Sequence, residues 1–435
     1  MSEKKIRDNY SYKELEYQMN TLSPLERIYN FCSLFGIKIE NGEENIKTIK
    51  KLKNEYKQLR DTPDEFNKYF SGRGWIAFET MNFPLMVEAV GLAKNGRIDE
   101  AEERLVEYYS EENLRFLISR LKGIEEYRPR IALTYKALND YLEGRYHSCI
   151  PIILMMIDGF VNDIEQKGFF ASGTDMNVWD TISGHSSGLN ALTGIFGKSR
   201  KRTTTDKIDI PYRHGIMHGR DLGYDNKNVA VKSWVALFAI ADWANAVKSG
   251  KKNEVEKEFS PPSFKDSIKS IKESLEKMSA NQIHRKLIDE WKPRNILIGN
   301  NIPERGIVSY YQARTPERTL IEFLDYLSNA NYGKIAELTT KVYPSKEPLS
   351  KRAGRVREIF INKRLIDYRL LAIRDESAAI TEIDACLTFD KGQVNKTFRL
   401  IYEDENCSPL VRGMENGSWR VLHNYSDLEY IEYSN

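Results

Sequence analysis

Four cysteines are spread thinly over 435 residues, at Cys32, Cys149, Cys386 and Cys407, and no two of them form a CxxC pair. That spacing argues against a disulfide framework and against a structural zinc knuckle, and it suits a reducing compartment such as the cytoplasm. Long apolar runs are missing too. The opening segment MSEKKIRDNYSYKELEY has no apolar core of the kind a secretion signal needs, and the longest apolar run, 149–157, is far short of a membrane span. Charge of one sign is also lacking. The formal net charge is +2, so no global field draws the chain to nucleic acid or to a membrane, and any basic site must be a local patch. Histidine is scarce, with six residues in all. These absences predict a cytoplasmic protein with no membrane partner.

What the chain does have is material for packed cores. With 41% hydrophobic and 29% charged residues it is not a disordered protein, and its length implies two to four domains. In RIDEAEERLVEYYSEENLRFLISRL the positions Ala101, Leu105, Tyr108 and Tyr109 recur at about three and four residues, which predicts a helical region over 1–124. Two segments, AKNGRIDEAEERL and YLEGRYHSCIPII, share a Gly-Arg turn between helical stretches. They point to helical hairpins, although two copies do not make a solenoid. The next region, 125–250, holds the apolar helix YHSCIPIILMMIDGFVNDI, a polar connection rich in Gly and Ser, and a last helix, NKNVAVKSWVALFAIADWANAV. The segment KSGKKNEVEKEFSPPSF reads as a domain boundary, and 251–314 as a charged linker containing the helical stretch KDSIKSIKESLEKM.

From 315 to 435 helices come first and strands follow. ERTLIEFLDYLSNANYGKIAEL puts Leu320, Phe323, Leu324 and Leu327 on one helical face, and LIDYRLLAI, AAITEIDACLTF, NKTFRLIYED and SWRVLH alternate with period two. The fold class expected is therefore multidomain, with all-α N-terminal and central parts followed by an α+β C-terminal part. The helix FLDYLSNANYGKIAEL together with the closing NGSWRVL resembles the cone-shaped domains of the nuclear transport factor two-like superfamily. That resemblance implies a sheet curled around a pocket and an accessory role, with a small-molecule or protein ligand as a possible partner.

The scarce histidines concentrate in YRHGIMHGRDLGYD, where Arg213, His214 and His218 fall within seven residues. With 29 arginines and six histidines an Arg-x4-His match is expected by chance about 0.4 times, so spacing alone is weak and context has to raise it. The motif sits between a polar connection and an apolar helix. An acidic residue, Asp158, also interrupts the apolar run CIPIILMMIDGFV of the preceding long helix, and a carboxylate there demands a partner. Pairing with Arg213 or capping a helix end would both satisfy it. The pattern Arg213-His214-Gly215-Ile216-Met217-His218, with its flanking helices, resembles the HEPN superfamily over about 125 residues. Its helical domains carry an Arg-polar-x3-His signature at the start of the last core helix. Many members are metal-independent ribonucleases of toxin, antiphage and RNA-processing systems, and others only bind nucleotides or act as structural partners.

RNA cleavage without a metal needs a proton taken from the 2'-OH, charge stabilised on the phosphorane oxygens, and a proton given to the departing 5'-oxygen. Arg213 would stabilise the charge, His218 would be the acid or base, and His214 would orient substrate or share that role. The resemblance implies that two copies of the motif meet across a homodimer. A purely structural Arg213–Asp158 pair and a merely packed His214 stay open. So does a metal site on His214 and His218, although only Asp221 or Asp158 offers a further ligand and zinc wants three or four, so no metal or cofactor is expected. FGKSRKR ends like a phosphate-binding loop, but Leu192 stands where the first glycine would be required. What remains there is a basic run, Lys198, Arg200, Lys201 and Arg202, that either tracks an RNA backbone or is a solvated loop. His147, His185, His284 and His423 have no clustered partners and are taken as ordinary. Two functions follow: an endoribonuclease whose partner is RNA, or a non-catalytic scaffold that binds nucleotide or protein.

Overall fold

The two Gly-Arg turns are both junctions between helices. Gly96 (φ 78°) and Gly144 (φ 73°) take the left-handed conformation that lets a chain leave one helix, and Arg97 and Arg145 are the N-caps of the next. The computed structural model describes residues 4–21, 42–199, 201–254, 259–260, 287–341 and 347–430. The chain divides into two compact units, Met1–Lys272 and Glu273–Asn435.

The first unit runs through α1 (Tyr10–Thr21), α2 (Gly42–Phe70), α3 (Phe83–Lys94), α4 (Ile98–Tyr108), α5 (Glu111–Leu121), α6 (Ile131–Leu142), α7 (Tyr146–Glu165), α8 (Leu189–Phe196), strand β1 (Thr204–Lys207), a one-turn helix α9 (Arg213–Met217), strand β2 (Asp221–Gly223) and α10 (Lys227–Lys248). Helix α10 is apolar nearly all round, and every residue from Val229 to Ala244 is buried, so it has to be wrapped by the others. On one flank Tyr109 stacks on Phe238 with centroids 6.4 Å apart, and buried Lys232 reaches Glu102 of α4 at 2.9 Å. On another flank lies α7, which buries Cys149, Ile150, Ile153, Leu154, Ile157, Phe160 and Val161. By length and hydropathy alone α7 is also long enough to cross a membrane, longer than the run 149–157 suggested. These cross-contacts tie α4 to α10 across the boundary expected at 124, within one compact unit. The pairing of β1 with β2, in parallel with Thr204 opposite Asp221, adds a strand element to a region read as all-α. It depends on Gly223, where any side chain would overlap the Asp206 carbonyl.

The second unit contains α11 (Pro316–Ser328), α12 (Tyr332–Leu338), α13 (Leu349–Phe360) and an antiparallel meander β3 (Leu365–Asp375), β4 (Ile380–Phe389), β5 (Gly392–Glu403) and β6 (Ser418–Val421). Helices first and strands after is thus the order observed. Alternation places Ile383, Ala385 and Leu387 of β4 and Phe398 and Leu400 of β5 on the helix side, where Phe323, Phe360 and Tyr425 fill the space with ring separations of 5.2–6.2 Å. Aromatic side chains therefore occupy the helix-facing side of this sheet. Order begins before the expected start at 315. Arg294 pairs with Asp375 at 2.8 Å and with Glu317 at 3.1 Å, and Arg412 lies between Trp291 and Trp419 at 5.2 and 5.1 Å. The expected helix KDSIKSIKESLEKM lies outside the described residues.

Candidate functional site

Helix α7 carries Asp158 past the long loop that follows it. One carboxylate oxygen, Oδ1, accepts the backbone N–H of Phe170 at 3.2 Å, while Oδ2 lies 3.5 Å from Nη2 of Arg213. The sequence thus identified a real pair, and its partner is Arg213 rather than a bare helix end. Both side chains remain partly exposed, at 30% for Asp158 and 26% for Arg213, so the pair orients more than it stabilises. The Arg213 guanidinium also lies over the Phe170 ring, 5.5 Å from its centroid.

Arg213 opens α9, and the five residues Arg213–Met217 make a single turn. His218 ends that turn, its N–H donating to the His214 carbonyl at 3.1 Å, and Gly219 (φ 65°) turns the chain out. Four-residue spacing on this turn sets the rings of His214 and His218 parallel, 5.9 Å apart with 2° between their planes. His214 is half-buried and His218 exposed. Partial burial, then the neighbouring Arg213 cation and His218, push the His214 pKa below the ordinary imidazole value, while Asp158 opposes the shift. His214 is therefore biased towards the neutral form at neutral pH.

Gly215, at the centre of the motif, is dictated by sterics. A methyl there would overlap the carboxylate of Asp221, which is completely buried beneath the turn. Asp221 belongs to β2, so the small β1–β2 pairing and the motif form one construction. The same pairing fixes the end of the basic loop, because Thr204 N–H donates to the Arg220 carbonyl at 2.8 Å. Lys198, Lys201 and Arg202 are exposed on that loop, and Arg200 lies outside the described residues. The motif does not open the last helix. The strand β2 and the Asn226 cap, whose side chain accepts Val229 N–H at 3.2 Å, separate α9 from α10.

Among the described residues no group of three or more His, Cys, Asp or Glu side chains is arranged to hold a metal ion. Asp158 is engaged by Arg213 and Asp221 is packed under Gly215, which is where the two further ligands for His214 and His218 were sought. Of the other histidines, His147 is exposed, His185 is buried with Nδ1 2.9 Å from Ser187 Oγ, and half-buried His423 places a ring nitrogen 2.9 Å from the Thr340 carbonyl oxygen. His284 lies outside the described residues.

Sequence reasoning missed Gly168, Phe170 and Gly215. Only Gly215 left a local signal, as the one glycine inside the Arg-His turn. It also missed a cavity of about 610 Å³ in the first unit, lined by Tyr12, Glu79, Arg120, Asp180 and Asp242 among others and containing none of the motif residues. In the second unit a smaller cavity, about 290 Å³, lies between the 294–303 segment and the start of α11. The chain matches no family model, no curated protein and no solved structure.

Proposed function

We propose that the chain is a metal-independent endoribonuclease of the toxin or antiphage-defence type, cytoplasmic and dimeric, that cleaves RNA by attack of the ribose 2'-OH. The observation that carries this reading is the single turn α9. It holds Arg213, a half-buried His214 biased towards neutrality and an exposed His218 together, with Asp158 holding the arginine from α7. In the reaction the 2'-oxygen bonds to phosphorus as its proton passes to an imidazole. The bond from phosphorus to the 5'-oxygen breaks, and that oxygen takes a proton from a second acid, leaving a 2',3'-cyclic phosphate and a 5'-OH. His214, biased to the neutral form, suits proton acceptance. His218, exposed at the end of the turn, suits contact with substrate and proton donation, and Arg213 meets the phosphorane charge. Lys198, Lys201 and Arg202, tethered to the motif through Thr204 and Arg220, supply a path for the RNA backbone, with Arg200 beside them in sequence. This reading agrees with the resemblance of the motif to HEPN domains. The second unit, with its nuclear transport factor two-like order of elements, serves as the accessory module and is where a small-molecule or protein ligand would bind.

Neither cavity described above is lined by the motif, and His218 is open to solvent. That observation favours two arrangements: a second copy that completes the site, or a non-catalytic scaffold that binds nucleotide or protein through the same turn. Incubation of purified protein with generic RNA separates them. The enzyme reading expects cleavage that Arg213→Ala and His218→Ala each abolish, with melting temperatures within a few degrees of the parent, because His218 is exposed and the partly exposed Arg213–Asp158 pair contributes little to stability. Full cleavage by either variant would remove the motif from the reaction.

A further inference from the structure

Phe170 touches both halves of the Asp158–Arg213 pair. Its backbone N–H holds Asp158 Oδ1, and its ring underlies the Arg213 guanidinium. We infer that the loop 167–170 is a positioning device for Arg213, with Phe170 as its working residue and Gly168 as the condition for its close approach. The inference deepens the ribonuclease reading and rests on it only for the catalytic consequence.

The loop is built to stay where it is. Helix α7 is capped at its C-terminus by Gln166, which takes the left-handed conformation (φ 57°) and turns the chain back along the helix. Gly168 then passes so close to Asp158 that a Cβ would fall inside the carboxylate. Phe169 is completely buried and meets Phe170 edge to face at 5.0 Å, so the exposed part of the loop is anchored from within. The ion pair by itself is a poor clamp. At 3.5 Å, with both partners open to solvent, it leaves the long arginine side chain many rotamers of similar energy. The Phe170 ring, with Arg213 Cζ 5.5 Å from its centroid, gives the guanidinium a second point of contact beside the single approach through Nη2. A cation over a ring is held by the ring quadrupole rather than through its N–H donors, so the fork keeps donors for phosphate oxygens. The loop therefore limits where Arg213 meets the substrate without being consumed by the contact.

Two readouts test this on the full-length protein with Phe170→Ala, Phe170→Leu and Phe170→Tyr. The first needs no catalysis: the rate at which phenylglyoxal modifies Arg213, followed by peptide mass spectrometry. Removing the aromatic face should raise that rate several-fold in both the Ala and the Leu variants, whereas Tyr, which keeps the face, should match the parent. Leu retains most of the volume, so a change shared by Ala and Leu at unaltered melting temperature reports the face and not lost packing. The second readout is RNA cleavage. The Ala and Leu variants should lose about tenfold to a hundredfold in kcat with KM nearly unchanged, as expected when a contact to the transition state is misaligned, and Tyr should restore it. Modification rates at Arg213 equal to the parent in all three variants would overturn the inference. If the parent cleaves no RNA, the ribonuclease reading fails, and the modification rates still decide whether the loop positions Arg213.

Discussion

A carboxylate buried beside another carboxylate is destabilising in its charged form, and Asp242 of α10 is in that position. Burial first, and the charge of Glu79 second, push its pKa up to about 6, although Thr80 N–H donates to Oδ2 at 2.8 Å. In the unfolded chain the group titrates near 3.8. Between these values the folded protein binds the proton more tightly. The stabilisation is therefore complete below about pH 4 and is lost as pH rises through 6. Asp242→Asn, which keeps an oxygen for Thr80 and offers Glu79 a donor, should flatten that segment of the pH profile and raise stability above pH 7 by about 1–2 kcal/mol, within what such a shift allows. Urea midpoints of parent and variant at pH 5 and pH 7.5 measure it, and an equal difference at the two pH values would contradict the assignment. Asp242 also interrupts an apolar run, WVALFAIADWANAV, but the approach of Glu79, far away in sequence, leaves no local trace. Asp158 was legible because it interrupts a wholly apolar run.

Among the elements, the turn α9 is the most constrained. Gly215→Ala would drive a methyl into the Asp221 carboxylate beneath it, and a buried acid has little room to move. The substitution should cost about 1–3 kcal/mol, as overpacking of a filled site does. It should also depress RNA cleavage although Gly215 touches no substrate, because it shifts Arg213 relative to His218. Thermal unfolding and cleavage assays should move together, and an active variant of parental stability would show that the seat of Asp221 does not hold the turn. Period and turn chemistry made several elements legible: the helical hairpins at Gly96 and Gly144, the face of α11 with Leu320, Phe323, Leu324 and Leu327, and the strands β3–β6. The β1–β2 pairing was not legible, since strands of four and three residues carry no alternation to read. A five-residue helix likewise has too little periodicity to read, and so the motif was legible only as a stretch between a polar connection and the last helix, with its place at a helix start implied by the family resemblance alone. The contact of Phe170 with Arg213 joins residues far apart in sequence, and it leaves no local trace.

At the scale of the whole molecule, composition indicated more than one domain, and the structure divides the chain into two units. The ion pairs Glu102–Lys232 and Arg294–Asp375 join segments on either side of 124 and 315, and such long-range pairs leave no trace in composition. The proposed dimer belongs to this scale as well. Met155 on α7, Met217 on α9 and Leu222 on β2 are exposed apolar side chains, α9 contacts both α7 and β2, and Met155 stands one turn before Asp158 on the same helix. If a second copy covers this face, Met155→Glu should convert the dimer to monomer in sedimentation and remove cleavage while leaving the melting transition cooperative. A monomeric parent that cleaves RNA would defeat the composite site. The central claim, that Arg213, His214 and His218 cleave RNA by charge and proton transfer alone, is tested most directly by incubating the parent protein with RNA in excess EDTA and identifying the product ends. The account predicts unchanged cleavage, products ending in 2',3'-cyclic phosphate or 3'-phosphate, and no cleavage of the same oligonucleotide built from 2'-deoxyribose. Loss of cleavage in EDTA with recovery on added zinc or manganese, or cutting of the deoxy substrate, would contradict it.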